Sequence, residues 1–306
     1  MGSDFRGPGG KISCRNSGGS MERVTENVYA ATDIRGCNPG YVVTSDGVVI
    51  IDTPQLPTKV VEMKEEGLKN GPIRYLINTE HHIDHIFGNY FFAGLCPVVA
   101  HENILKEFGT VSAGTPYSYS VEVVKKDDPA GMALMPPEKD FHLNLPTILF
   151  SHRMTLRVGD QVLELFHTPG HTRGQIAVYI PKEKVVFVGD TIFCECQTWF
   201  HGADPDAWLW SLDFLRTLDV DYIVPGHGPI CNKGYIFKQS AFIREWVTAV
   251  AVGIAKGWSL EECIQRISFL DRYPVDIGQE SAGPMIQQKA VERIYNFLHG
   301  KAERYR

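Results

Sequence analysis

Glu80-His81-His82-Ile83-Asp84-His85 places imidazoles and carboxylates at five of six positions, directly after the strand-like run Arg74-Tyr75-Leu76-Ile77-Asn78. Imidazole and carboxylate bind borderline and hard divalent cations, and on one tight turn they converge on a common point. So many ionisable groups suit neither an apolar core nor an ordinary surface turn.

Three further segments carry the same signature. Phe166-His167-Thr168-Pro169-Gly170-His171, Val188-Gly189-Asp190-Thr191 and Val224-Pro225-Gly226-His227-Gly228 each set a His or Asp where a β-branched run gives way to a Gly- or Pro-bearing loop. Catalytic groups are commonly carried on loops held by a rigid scaffold. Pro169-Gly170 breaks any helix between His167 and His171, so His167 is read as structural or supporting. His101, His142, His152 and His299 belong to no constellation.

Together these segments resemble the metallo-β-lactamase-fold hydrolase superfamily, whose signature is His-x-His-x-Asp-His followed by a lone His, a lone Asp and a final His. The resemblance runs from about Val28 to Ile230. It implies an α/β protein built as a four-layer αβ/βα sandwich, with two divalent metal ions (Zn, Mn or Fe) as cofactors. One ion falls to Glu80, His82 and His171, the second to Asp84, His85 and His227, with Asp190 bridging them. Asp84 and Asp190 are the implied catalytic carboxylates, Asp84 steering the attacking hydroxide or passing a proton to the leaving group. Glu80 stands where the family has its first His, and His81 on the position the family leaves variable. Two registers are open, and the spacing to Asp84 and His85 favours Glu80. Oxygen-rich ligation shifts preference toward Mn²⁺ or Fe²⁺ while keeping Zn²⁺ in play.

Asp190 resembles the glyoxalase II, lactonase and phosphodiesterase branches, whereas true β-lactamases usually carry Cys or Ser there. The expected activity is hydrolysis of a small ester, lactone, thioester or cyclic amide by a hydroxide made available between two cations. The alternatives are a di-iron oxidoreductase of the same fold and, behind it, a β-lactamase. No protein nucleophile is evident: there is no Gly-x-Ser-x-Gly elbow, and Cys194 and Cys196 lack a thiolate-activating setting.

At 306 residues, 43% hydrophobic and 22% charged, the chain can bury one large core or a core and a subdomain. A net charge of −6 with scattered basic residues argues against nucleic acid. No run approaches the length that crosses a bilayer, so no membrane partner is expected. The expected partner is a small-molecule substrate, with a homo-oligomer left open. Seven cysteines without framework spacing suit a reducing compartment, so the expected location is cytoplasmic. Cys194 and Cys196 are read as loop packing residues.

Residues 1–20, rich in Gly and Ser, are expected to be a disordered leader or tag, residues 21–232 the catalytic domain and residues 233–306 a C-terminal helical subdomain. Strands are expected at 28–31, 40–44 and 48–52, with Ser45-Asp46-Gly47 as a hairpin turn. Others are expected at 98–100, 147–150, 154–158, 162–166, 185–188 and 222–224. Helices are expected at 58–69, 102–108, 204–218, 240–256, 259–267 and 284–300, with a short one near 118–125. Ser259-Leu260-Glu261-Glu262 fits a capping box. This alternation suits two sheets packed face to face with helices outside. Residues 109–146 are the least regular stretch and are read either as a lid insertion, with Tyr117, Tyr119, Met132 and Met135 as pocket walls, or as a surface insertion unrelated to substrate. His81, Trp199, Phe200 and His201 complete the expected pocket.

Overall fold

Residues 20–107 and 116–305 are described by the computed structural model. The leader expected at 1–20, but for its last residue, and the start of the expected lid lie outside the described residues.

Two sheets form. The first runs in chain order through β1 (Glu22–Arg23), β2 (Val28–Ala30), β3 (Gly40–Thr44), β4 (Gly47–Ile51), β5 (Ile73–Ile77), β6 (Val98–His101) and β7 (Ile148–Phe150). It is antiparallel as far as β4 and parallel from there to β7. The second contains β8 (Arg153–Val158), β9 (Gln161–His167), β10 (Ile176–Ile180), β11 (Val185–Phe187) and β12 (Tyr222–Val224), in the order β12-β11-β10-β9-β8. Only its β11–β12 pair is parallel.

Side-chain alternation in the buried strands makes the layers. In β4, Val49 and Ile51 face the second sheet, while Val48 and Ile50 face α1 (Pro57–Lys69) through Val60 and Met63. In β10, Ile176, Val178 and Ile180 point into the inter-sheet core, and Ala177 and Tyr179 point outward. A strand displays its side chains with period two, so each strand serves two apolar layers. The outward face of the second sheet packs on α2 (Pro205–Leu215) and α3 (Lys233–Ala255), with Trp208, Leu212 and Trp246 fully buried. Val291 and Ile294 of the last long helix, Gly283–Leu298, enter the same cluster. The result is the metallo-β-lactamase fold, a mixed α/β sandwich with C-terminal helices.

Differences from the sequence reading have local causes. β10 is absent from the expected strands: Ile-Ala-Val-Tyr-Ile is as uniformly apolar as β4 but lacks the Asp-Gly hairpin turn that announces β4. α3 starts at Lys233 rather than Ser240, because the Asn232 side chain accepts from the Gly234 N–H and caps the helix there. The expected short helix near 118–125 spans Pro116–Asp127. The capping box forms: Ser259 Oγ accepts from the Glu262 N–H, and the Glu262 carboxylate from the Ser259 N–H. Cys194 and Cys196 are buried in the cluster with Phe193 and Phe200. No helix among the described residues is long and apolar enough to cross a membrane.

One polar clamp joins the sheets. Glu183, in the turn between β10 and β11, accepts from Thr25 Oγ1 (2.6 Å), Asn27 Nδ2 (2.7 Å) and Gln161 Nε2 (3.2 Å).

Candidate metal centre

The expected donors all leave strand ends at one rim of the sandwich. β5 ends at Ile77 and passes through Asn78 and Thr79 to Glu80; a short helix, Ile83–Ile86, then fixes Asp84 and His85. β9 leads to His171, β11 to Asp190 and β12 to His227. Because β11 and β12 are parallel, their loops emerge side by side, with the Gly226 N–H donating to Gly189 O at 2.7 Å. A Cβ on Gly226 would collide with Asp190 Oδ1, so only glycine lets His227 approach.

Donor atoms of Glu80, His82, His171 and Asp190 lie within 4.8 Å of one another, as do those of Asp84, His85 and His227. Asp190 stands between the two groups. Its Oδ2 is 3.3 Å from His171 Nε2, and its Oδ1 is 3.1 Å from His85 Nε2 and 3.3 Å from His227 Nε2. The structure brings Glu80 rather than His81 into the first group. His81 packs its ring against His82, with centroids 4.6 Å apart, and lines the cavity.

Three rings are anchored by their outer nitrogen. His85 Nδ1 donates to Asp52 Oδ2 (3.0 Å), His227 Nδ1 to Asp276 Oδ2 (2.7 Å) and His171 Nδ1 to Trp199 O (2.9 Å). A proton fixed on Nδ1 leaves the inward-facing Nε2 with a lone pair, the arrangement that orients histidine ligands around metals. Asp52 adopts a left-handed φ of 54° at the end of β4 and also accepts from the Thr79 N–H and Oγ1, at 2.7 and 2.6 Å. The sequence reading misses Asp52 and Asp276. Asp52 does carry a signal, a strand running into Asp before Thr53-Pro54, whereas Asp276 lies in a loop with no pattern around it.

The donor set fits a pair of divalent cations. Glu80 is fully buried, and neither carboxylate oxygen makes a well-formed hydrogen bond, although His82 Nδ1 lies 2.7 Å from Oε2. Burial pushes the Glu80 carboxyl up from its ordinary value and holds His171 well below its own, so the imidazole is in its neutral, metal-binding form. A buried carboxylate without a partner is costly, and a cation among these donors removes the cost. Cys37, Asp52 and His85 form a third close group. Burial drives the Cys37 thiol up to about 12, its Sγ lies 3.8 Å from Thr53 O, and His85 Nδ1 in this group is already taken by Asp52.

A cavity of about 470 Å³ opens over the donors. His81, Tyr119, Trp199 and His201 line it, and His201 Nε2 is 3.1 Å from His82 Nε2. Phe200 does not: it is 1% exposed and packs between Trp208 and Trp246, because the loop turns it to the opposite side from Trp199. Tyr117 is also elsewhere, its hydroxyl donating to Pro136 O at 2.6 Å and its ring packed on Phe141. Met135 closes the turn Pro129–Leu134 and Met132 lies within it; neither reaches the cavity wall. Arg35, Gln55, Thr172, Arg173 and Tyr305 are wall residues that no local pattern announces.

The metallo-beta-lactamase superfamily pattern matches residues 32–227. Over 201 residues the chain is 28% identical to the probable hydroxyacylglutathione hydrolase glo2 of Schizosaccharomyces pombe, covering 63% of this chain and 64% of that protein. Over 253 residues it is 24% identical to the linear primary-alkylsulfatase of a Pseudomonas species, covering 72% and 48%. The chain therefore spans from about half to just under two thirds of these relatives' own length. Among solved structures, a metallo-beta-lactamase from Pontibacter korlensis superposes with a TM-score of 0.57 at 19% identity, covering 74% of this chain and 98% of that one. The sec-alkylsulfatase Pisa1 from Pseudomonas superposes at 0.63 and 16% identity, covering 91% and 50%. These likenesses show a shared fold. With a family match across all four donor loops, the chain belongs to the metallo-beta-lactamase superfamily.

Proposed function

We propose that this protein is a dinuclear metal-dependent hydrolase of small esters, thioesters, lactones or cyclic amides. The observation that carries the reading is Asp190, held between two donor groups whose His85, His171 and His227 rings are each fixed through Nδ1. Glu80, His82 and His171 would hold one cation and Asp84, His85 and His227 the other, with Asp190 shared. Divalent cations bound there would make hydroxide available at neutral pH and would polarise a scissile carbonyl.

The chain's own groups position the reaction. Asp84 is 19% exposed on the cavity side, with Oδ2 3.6 Å from His227 Nε2, so its carboxylate is placed to orient a water by accepting its hydrogen bond and to carry a proton toward the leaving group. Trp199 and His201 line the same cavity, His201 beside His82. Hydrolysis is supported over redox chemistry by relatives named as a hydroxyacylglutathione hydrolase and an alkylsulfatase. The first of these names makes thioesters the leading substrate class.

The test is reconstitution with Zn²⁺, Mn²⁺ or Fe²⁺ and assay against thioesters, lactones, esters and cyclic amides. Two ions per chain and metal-dependent turnover are expected, with His171→Ala and Asp190→Ala folded but inactive. Full turnover from a preparation free of metal would end the proposal.

A further inference from the structure

The catalytic cavity and a neighbouring cavity of about 530 Å³ share one lining residue, Tyr305. The neighbour is walled by Pro169, Ala207, Trp210 and the stacked rings of His101 and His167, whose centroids are 3.8 Å apart. Those histidines have little chemistry to spare. His101 Nε2 donates to Ser151 O (2.6 Å) while its Nδ1 accepts from the Asn103 N–H (3.1 Å), and His167 Nε2 donates to Arg173 O (2.8 Å). What they offer is ring surface, and the 59% exposed Trp210 adds more. Such a wall suits an apolar or aromatic arm.

Tyr305 is fastened in place. Its N–H donates to Asp204 Oδ2 (2.6 Å), and its hydroxyl donates to Gly202 O, beside His201. The other oxygen of Asp204 caps α2. Arg304 pairs with Asp206 (2.8 Å), Glu303 with Arg173, and the Arg173 guanidinium lies over the Tyr305 ring at 5.5 Å.

We infer that Tyr305 is a specificity-determining partition: its ring separates the catalytic cavity from an annex and sets the upper length of the substrate's apolar arm. The inference rests on the hydrolase reading of the metal centre. It is tested with metal-loaded wild type, Tyr305→Ala, Tyr305→Leu and Tyr305→Phe, assayed on acyl thioesters of increasing chain length. The Ala and Leu variants keep the backbone tie to Asp204. They should gain about tenfold or more in kcat/KM for the long acyl chains relative to the short ones, and Tyr305→Phe should keep the wild-type profile. Calorimetric binding of straight-chain carboxylates provides a readout that needs no turnover, and long members should tighten in the Ala and Leu variants while acetate does not. An unchanged length profile in both variants overturns the inference. A shifted carboxylate ladder with no turnover from any protein upholds the partition and rejects the hydrolase reading.

Discussion

Asp276 Oδ2 sits 2.7 Å from His227 Nδ1, joining a loop of the C-terminal helical region to the last histidine of the metal centre. Both side chains are buried, so the bond is shielded from water. Asp276→Ala frees the ring to rotate and removes the acceptor that sets its tautomer. Metal affinity should fall about 10- to 100-fold, with the circular dichroism spectrum unchanged. Chelator-competition titration measures it, and wild-type affinity in the variant would make Asp276 a bystander.

Glu80→His converts an oxygen donor to nitrogen at a site where the carboxylate is fully buried. Softer, nitrogen-rich ligation favours Zn²⁺ over Mn²⁺. Purified side by side, the variant should carry a higher Zn to Mn ratio by elemental analysis. Identical metal content and rate would point to His81 as the donor.

Chelation should destabilise the fold as well as stop turnover. Glu80 and Asp190 share one donor group and Asp84 stands in the other, and cations that bind only the folded chain add about 4 kcal/mol at a thousand times their dissociation constant. The melting temperature should drop in chelator and return on adding metal. A melting curve indifferent to chelator would contradict two occupied sites.

The Glu183 clamp gives stability a pH dependence. Burial works to raise this carboxyl, but hydrogen bonds from Asn27, Thr25 and Gln161 more than reverse it, leaving its value below the ordinary 4.5. A depressed folded value means the contribution is complete above the unfolded value and is lost as pH falls through the folded one. Glu183→Gln should cost about 1 kcal/mol at neutral pH, and the gap to wild type should close as the pH drops below that range. Urea unfolding at a series of pH values reads this directly, and a gap constant with pH would rule out the carboxylate as its source.

The donor loops are legible in the sequence because their chemistry is local in the chain. The first crowds ligand-type side chains after a strand end and the other three pair one with a strand end and a Gly or Pro, combinations that residue order alone displays. Asp276 is not legible in this way, since a single carboxylate in an unpatterned loop acquires meaning only when the fold brings it to His227. β10 is hidden because burial on both faces erases alternation and no hairpin turn announces it as Ser45-Asp46-Gly47 announces β4. Trp199 and Phe200 are adjacent aromatics of equal promise on paper, yet one faces the cavity and the other lies between two tryptophans. Tyr305 shows the same limit from the far end of the chain, where a wall of the cavity is supplied by residues that no motif connects to it.

Glu80, His82, Asp84 and His85 follow a strand of one sheet, whereas His171, Asp190 and His227 follow strands of the other. Neither half alone owns a complete set of donors for either ion. Strong metal capture would therefore report correct docking between the halves: a chain with only one sheet formed would hold too few donors to bind tightly, and bound cations would rivet the seam.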